Sequence, residues 1–86
     1  MTGFKLYNLD RCPFCVDVRV AAERLGIALE LIDVRREPGA RQRLLDWRGR
    51  ATVPVLVIPG EDGETLMPES RDIIAYLKRV AAEQAA

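Results

Sequence analysis

The only two cysteines of the chain, Cys12 and Cys15, stand three positions apart in the stretch RCPFCV. On the first turn of a helix, side chains at this spacing have Cβ atoms about 5–6 Å apart, so slight adjustment lets a disulfide open and close. Such a pair can carry out thiol–disulfide exchange, contribute to a metal site, or fill a core as two small hydrophobic residues. The remaining residues must distinguish these three uses.

The number of possible ligands disfavours a metal bound within one chain. The sequence has no histidine and no second cysteine pair, whereas structural zinc sites take four ligands. An iron–sulfur cluster shared by two chains stays open, because each chain then supplies fewer ligands. Simple packing also stays open, although core cysteines rarely need C-P-x-C spacing at a helix start. We predict a redox pair and no metal site.

The elements on either side of the pair position it. In the stretch GFKLYNL, Phe4 and Leu6 fall on one face of an extended chain and Lys5 and Tyr7 on the other, which predicts a strand over residues 3–9. Apolar residues recur at helical spacing over residues 13–25, and Gly26 ends this helix. Pro13 suits the first helical turn, so Cys12 is expected at or beside the N-cap. Arg19, inside this helix, is expected to face water with its other charged residues.

The later patterns complete one α/β domain over residues 1–86. We predict a second strand over 28–34, a helix over 38–49, strands over 53–60 and 64–67, and a last helix after residues 68–70. The last turn of that helix is expected to hold Lys78 and Arg79, and residues 81–86 are expected to fray. The order is β-α-β-α-β-β-α, and its first βαβ unit should pair two parallel strands.

Charge and composition narrow the partners. Thirteen basic and thirteen acidic residues give zero net charge, which favours neither nucleic acid nor an anionic membrane. The start, MTGFKLYNLDRC, lacks a basic segment followed by an apolar one, and no apolar run approaches the ~20 residues that span a bilayer. We therefore expect a cytoplasmic protein. Disulfides in that compartment are mostly transient and catalytic, which favours redox chemistry at the pair.

The position of each cysteine predicts its role. Cys12, at the helix start, faces unpaired N–H groups and the positive end of the helix dipole, which stabilise a thiolate. The neighbouring charge of Arg11 favours the same form and Asp10 opposes it. Cys15 lies one turn further and should be better covered. We expect Cys12 to attack and Cys15 to resolve the mixed disulfide.

Several motifs together resemble a glutaredoxin over nearly the whole chain: CPFC after a strand, TVP at the start of the third strand, and RQRLLDWRGRATVP before it. The resemblance implies the thioredoxin fold with a four-stranded mixed sheet. It implies Cys12 as the nucleophile, Cys15 as the resolving thiol, and glutathione as co-substrate with no separate cofactor. The lysine that many glutaredoxins carry before the first cysteine is absent, which puts the surroundings of Cys12 in doubt.

The same resemblance implies a glutathione site. The proline matching Pro54 is cis and faces the cysteines, and the backbone of Val53 pairs with the cysteinyl part of glutathione. Where a glutaredoxin has Gly-Gly and two aspartates, this chain has MPESRD, which is similar to the Glu-Ser of glutathione transferase N-terminal domains. Glu69 and Ser70 would then hold the γ-glutamyl group, although Ser70 could equally be an ordinary N-cap. The expected glutathione-binding residues are Arg11, Phe14, Arg41, Val53, Pro54, Glu69 and Ser70.

Two of these residues have ordinary alternatives. Arg41, like Arg50, could bind the glycyl carboxylate of glutathione, or it could belong to a solvated helix face. Phe14 is expected to cover the edge of the disulfide with apolar surface, and Trp47 is expected to pack. Only exposure in the structure separates these uses.

The main hypothesis is a monomeric dithiol oxidoreductase that reduces protein disulfides and glutathione mixed disulfides with glutathione. Its partners would be glutathione and disulfide-containing or glutathionylated proteins. One alternative keeps the fold but takes electrons from a flavin-dependent thioredoxin reductase. Another is a non-catalytic module that binds glutathione or holds an iron–sulfur cluster.

Overall fold

The computed structural model of the protein describes residues 3–85, with side chains described up to residue 84. Its elements are β1 (Phe4–Asn8), α1 (Pro13–Arg24), β2 (Leu29–Asp33), α2 (Ala40–Arg48), β3 (Val55–Ile58), β4 (Thr65–Pro68) and α3 (Ser70–Ala85). This order confirms the predicted β-α-β-α-β-β-α arrangement and the thioredoxin-like fold.

The four strands form one mixed sheet in the order β2-β1-β3-β4. Strand β1 pairs with β2 in parallel and with β3 in antiparallel fashion, and β3 pairs with β4 in antiparallel fashion. As a result β1, β2 and β4 end at the same edge of the sheet, and β3 begins there. We call this the cysteine edge, because the loop from β1 into α1 carries both cysteines.

Helices cover both faces of the sheet, and each face has its own apolar core. Helices α1 and α3 cover one face, where the buried residues are Phe4, Leu6, Val18, Ala22, Ile27, Leu56, Ile73, Leu77 and Val80. Helix α2 covers the other, where they are Tyr7, Val34, Ala40, Leu44, Val55 and Val57. Alternate residues of β1 and β3 point into opposite cores, as a strand period of two requires. The central strands are therefore held from both sides, which fixes the loops at the cysteine edge.

The helix ends follow the predicted signals in two cases and depart from them in one. Gly26 and Gly49 adopt left-handed φ values of 71° and 73° after α1 and α2, a conformation that glycine reaches without steric cost. Helix α3 instead continues to Ala85, so the expectations of a frayed tail and of Lys78 and Arg79 in its last turn are wrong. The residues after Val80 are mostly alanine, glutamate and glutamine, which are strong helix formers. Residue 86 lies outside the described residues.

Helix α3 is 16 residues long. Neither it nor any other helix within residues 3–85 has the length and apolar character needed to cross a bilayer.

Candidate active site

The two cysteines occupy different environments at the start of α1. Cys12 is the N-cap residue, with φ −71° and ψ 119°, and Pro13 is the first helical residue, which confirms the predicted placement. The Cys12 N–H donates to the Leu9 carbonyl at 3.2 Å, which holds the loop against β1. Cys12 is partly exposed, whereas Cys15 is fully buried, and both are free thiols. A disulfide from outside can therefore reach Cys12 first.

Burial controls the ionisation of Cys15. The pKa of the Cys15 thiol is raised from 9.0 to about 11. Burial is the largest cause and the neighbouring Cys12 contributes to the rise, while the Leu9 backbone and the Arg19 charge act in the opposite direction. Cys15 therefore stays protonated at neutral pH. When the Cys12 sulfur is bound in a mixed disulfide it carries no charge, so one of the causes that raise this pKa is removed. That sequence of events suits a resolving thiol.

Arg19 ties α1 to the loop that carries the cysteines. Its guanidinium donates to the Asn8 side-chain oxygen, to the Leu9 carbonyl at 3.4 Å and to the Asp10 carbonyl at 2.9 Å. Asn8 is only 1% exposed, and its amide donates to the Asp10 carboxylate at 3.4 Å. Arg19 is partly exposed, so the expectation that it faces water is met only in part: its guanidinium is also bound to the loop. A buried amide oxygen needs a donor, and Arg19 is the side chain that supplies one.

A cavity of about 250 Å³ lies next to the cysteine helix at the cysteine edge. Its lining residues are Phe14, Arg48, Arg50, Thr52, Val53, Pro54, Glu69 and Ser70. Five of the seven predicted glutathione-binding residues therefore meet around one space. The Val53–Pro54 peptide bond is cis, as the resemblance implied. Phe14 is 60% exposed, so it presents an apolar surface to whatever enters the cavity.

The end of β4 and the start of α3 form one wall of this cavity. Glu69 adopts a left-handed backbone conformation with φ 74°, which is unusual for a residue other than glycine. Its carbonyl accepts the N–H of Ile73 at 3.0 Å, so Glu69 takes the backbone N-cap position and Ser70 is the first helical residue. Glu69 and Ser70 both line the cavity at the start of α3, where the first-turn N–H groups of a helix have no intrahelical partner. This wall can bind a carboxylate and an ammonium group side by side.

Arg48 and Arg50 supply positive charge to the same cavity. Arg48 donates to the Thr52 hydroxyl at 3.0 Å and lies over the Trp47 ring, with its guanidinium carbon 5.4 Å from the ring centre. Its Nε atom is buried with no hydrogen-bond partner among the described residues. Arg48 was not among the site residues predicted from the sequence, because it lies in an arginine-rich stretch. The available signal was its position four residues before Thr52 of the TVP motif.

The other two predicted residues lie outside this cavity. Arg11 lines a second depression of about 440 Å³ that also contains Cys12. Arg41 lines a third, of about 600 Å³, on the surface of α2. The structure thus brings Phe14 and the residues around Pro54 together, places Arg11 beside Cys12, and leaves Arg41 outside both spaces.

Among residues 3–85, no group of three or more histidine, cysteine, aspartate or glutamate side chains is arranged to hold a metal ion. Within this part of the chain, the thiol groups are those of Cys12 and Cys15, and both are free.

The mixed sheet, the cysteine at a helix N-cap and the cis-proline before β3 define a thioredoxin-fold domain. Residues 6–85 match the family described as glutathione S-transferase, N-terminal domain, and the chain belongs to this family. The resemblance to glutaredoxins is also confirmed. Glutaredoxin-C6 of Oryza sativa subsp. japonica is 34% identical over 59 residues, which cover 65% of this chain and 53% of that protein.

Solved structures show the same two likenesses. A trimeric glutathione transferase of Leishmania, TDR1, matches with a TM-score of 0.77 and 30% identity, over 98% of this chain and 19% of that one. Glutaredoxin 2 from Salmonella typhimurium, solved in complex with glutathione, matches with a TM-score of 0.61 and 28% identity, over 93% of this chain and 34% of that one. The chain thus spans about half the length of the curated relative, and a smaller part of these two structures.

Proposed function

We propose that the protein is a glutathione-dependent thiol–disulfide oxidoreductase that works through a cysteine pair. The observation that carries this proposal is the difference between its two sulfurs. Cys12 reaches solvent at the N-cap of α1, and Cys15 is fully buried one turn further along the helix. An exposed thiol can attack a substrate, and a buried, protonated thiol nearby can resolve the mixed disulfide afterwards. A dithiol of this kind suits the reducing cytoplasm, where we expect the protein to act.

The reaction begins when the Cys12 thiolate attacks one sulfur of a protein disulfide. A Cys12–substrate disulfide forms, the substrate S–S bond breaks, and the departing sulfur leaves as a thiolate that takes a proton from water. Cys15 then loses its proton and attacks the Cys12 sulfur. This closes the Cys12–Cys15 disulfide and releases the second substrate sulfur as a thiol. The substrate has gained two electrons and the protein has lost two.

Glutathione restores the protein in two similar exchanges, which leave the dithiol and one molecule of glutathione disulfide. With a glutathionylated protein as substrate, Cys12 takes over the glutathionyl sulfur, and Cys15 or a second glutathione releases it. The cavity beside α1 supports this part of the proposal, because its groups match the three charges of glutathione. Glu69 and the start of α3 suit the γ-glutamyl ammonium and carboxylate, and Arg50 suits the glycyl carboxylate.

Membership of a transferase family supports a second candidate, which is conjugation of glutathione to a small electrophile. Such an enzyme would activate the thiol of glutathione, and Cys15 would have no chemical role. The dithiol hypothesis gives both sulfurs a role, and for that reason we favour it. The alternative that is reduced by a flavin-dependent thioredoxin reductase keeps both cysteines but has a different electron source. The alternative that holds an iron–sulfur cluster also keeps both cysteines, and it would show visible absorbance.

The test is steady-state reduction of the mixed disulfide of glutathione and 2-mercaptoethanol, coupled to glutathione reductase. Wild type is compared with Cys12→Ser and Cys15→Ser, and conjugation of 1-chloro-2,4-dinitrobenzene is measured on the same preparations. We expect an active wild type, an inactive Cys12→Ser and a partly active Cys15→Ser. A wild type that reduces the mixed disulfide only with a flavin-dependent thioredoxin reductase, or that only conjugates the electrophile, would replace this proposal with the corresponding alternative.

A further inference from the structure

The strand order places the chemical groups of the cysteine edge in a row. Arg35 and Arg36 follow β2, Cys12 follows β1, Pro54 precedes β3, and Glu69 follows β4. Because the sheet order is β2-β1-β3-β4, the two arginines lie on the opposite side of Cys12 from Pro54 and Glu69. The cavity assigned to glutathione uses only the β3 and β4 side of this row. The β2 side therefore remains for a different part of a substrate.

A depression of about 440 Å³ occupies the β2 side. It is lined by Cys12 itself, by Leu9, by three arginines and by two aspartates, namely Arg11, Arg35, Arg36, Asp10 and Asp33. The turn that carries Arg35 and Arg36 is held by Asp33, whose carboxylate accepts their backbone N–H groups at 2.8 and 3.3 Å. The Arg36 side chain lies 3.9 Å from the same carboxylate and is 87% exposed. A fixed turn thus presents two guanidinium groups next to the attacking sulfur.

Most of this positive charge is available to a ligand. Among residues 3–85, Arg11 and Arg35 form no ion pair, and Arg41 adds a further guanidinium without one in the adjoining depression. The Asp33 carboxylate is already engaged with its own turn. Asp10, the other carboxylate of this depression, accepts a hydrogen bond from the Asn8 amide at 3.4 Å, and Glu37 lines the adjoining depression. The three arginines therefore outnumber the two carboxylates beside Cys12. The chain has zero net charge but presents arginines around its reactive sulfur.

We propose that Arg11, Arg35 and Arg36 form a docking surface for acidic residues that flank the target disulfide of a polypeptide substrate. This inference rests on the proposed function, because it assigns the substrate class of the same site. Arginine is the side chain best suited to carboxylates, which it can bind through two parallel hydrogen bonds. Complementary charge of this kind mainly increases the rate of encounter and selects among partners.

The distances suit residues close to the target cysteine. Neighbouring strands lie ~4.8 Å apart, and an extended polypeptide advances ~3.3 Å per residue. In a substrate polypeptide joined through its cysteine to Cys12, the residues that reach the end of β2 are therefore about one to three positions from that cysteine. Glutathione carries only one residue on each side of its cysteine. A peptide is longer, so it can use the β2 side while its other flank lies over Pro54.

The test uses three synthetic peptides of equal length, each with one cysteine activated as a 2-thiopyridyl disulfide. Their flanking residues are glutamate, serine or lysine. Attack by the Cys12 thiolate joins the peptide sulfur to Cys12 and releases 2-thiopyridone with the electron pair of the broken bond, so stopped-flow absorbance gives the rate constant. At low salt we expect the glutamate peptide to react about tenfold faster than the lysine peptide. The ratio should fall toward one in 0.5 M salt.

Two matched variants locate the effect. Arg35→Glu/Arg36→Glu should reverse the preference, so that the lysine peptide reacts faster. Arg24→Glu/Lys78→Glu makes the same change in net charge, with Arg24 at the far end of α1 and Lys78 in the third turn of α3, and should keep the wild-type preference. Equal rates for the three peptides on wild type, or an unchanged preference in Arg35→Glu/Arg36→Glu, would overturn the proposal.

This measurement does not depend on turnover with glutathione. A wild type that discriminates among the peptides but fails to reduce the small mixed disulfide would contradict the proposed function and support the docking surface. A wild type that reduces the small mixed disulfide but reacts equally fast with the three peptides would support the proposed function and contradict the docking surface. The salt series on wild type needs no variant, so a variant that fails to fold would not leave the question open.

Discussion

The guanidinium of Arg19 is hydrogen-bonded to the side-chain oxygen of Asn8, and this contact joins the second turn of α1 to the end of β1. The same guanidinium holds two carbonyls of the loop that leads to Cys12. Because the amide of Asn8 is almost fully buried, its oxygen has no access to water and depends on Arg19. The position of Cys12 is thus fixed from two sides, by the helix that follows it and by this contact.

Replacing Arg19 should affect both stability and reactivity. Arg19→Ala leaves a buried amide oxygen without a donor, so we expect the free energy of unfolding to fall by about 1–3 kcal/mol. The loop before Cys12 also loses two contacts, and alkylation of Cys12 by iodoacetamide should slow by up to about tenfold. Urea denaturation and alkylation kinetics measure the two effects.

Arg19→Lys separates charge from hydrogen-bond geometry. Lysine keeps the positive charge but lacks the planar guanidinium that donates to three acceptors at once. It should therefore restore only part of the lost stability and part of the lost alkylation rate. Arg24→Ala, an exposed arginine on the same helix, is the matched control and should change neither measurement. An Arg19→Ala variant as stable and reactive as wild type would show that the contact does not hold the loop.

The sequence predicted those parts of the site that depend on local signals. The strand before Cys12, Pro13 in the first turn and the glycine after α1 are each set by neighbouring residues, so their consequences could be predicted without knowledge of the fold. The cis form of the bond before Pro54 came from the family resemblance, because few X-Pro bonds are cis. These signals were enough to place Cys12 at the N-cap of α1 and Cys15 one turn further along the helix.

The parts that could not be predicted depend on contacts between distant residues. Asn8 and Arg19 are eleven positions apart, and a charged residue between apolar helical positions usually faces solvent. Arg48 lines the cavity beside Pro54 only because α2 ends near the start of β3, whereas Arg41 on the same helix lies outside it. Helical periodicity does not distinguish these two arginines. The fold decides which of them faces the cavity.

The raised pKa of Cys15 can be measured in Cys12→Ser, where it is the sole remaining thiol. Burial is the largest cause of the shift and is kept in this variant, while the contribution of Cys12 is removed. We therefore expect Cys15 to titrate between 9.0 and about 11. Absorbance at 240 nm reports the thiolate, and Cys12→Ser/Cys15→Ala corrects for the tyrosines. A midpoint at or below the ordinary value would mean that Cys15 is hydrated in solution.

The same pKa predicts how stability depends on alkaline pH. The folded pKa lies above the unfolded one, so the contribution of Cys15 is complete below pH 9.0 and is lost as the pH rises toward about 11. Relative to Cys15→Ala, wild type should lose about 1 kcal/mol of unfolding free energy between pH 8 and pH 10. Urea titrations of the two proteins measure the difference. Parallel stability curves over this range would contradict the buried, neutral thiol.

The ion pair between Arg43 and Glu64 predicts a dependence on acid pH. Its atoms lie 2.6 Å apart, and it lowers the pKa of the Glu64 carboxyl and raises the pKa of Arg43. The stability that Glu64 adds is therefore present above its unfolded pKa and is lost as the pH falls through the lower folded one. Glu64→Gln should be slightly less stable than wild type at pH 7, and the gap should close on acidification. Glu61→Gln, in the same turn, should show no such change.

Two substitutions of Glu69 distinguish the effect of its backbone conformation from the effect of its carboxylate on the proposed binding of glutathione. Its left-handed conformation is costly for any residue with a Cβ, so Glu69→Gly should be more stable than Glu69→Ala by about 1 kcal/mol. Both variants lack the carboxylate proposed to bind the γ-glutamyl ammonium, so both should raise the KM for glutathione about tenfold. Thermal unfolding and the coupled mixed-disulfide assay give the two values. A KM that rises in Glu69→Ala alone would assign the role to the backbone geometry, whereas an equal rise in both assigns it to the carboxylate.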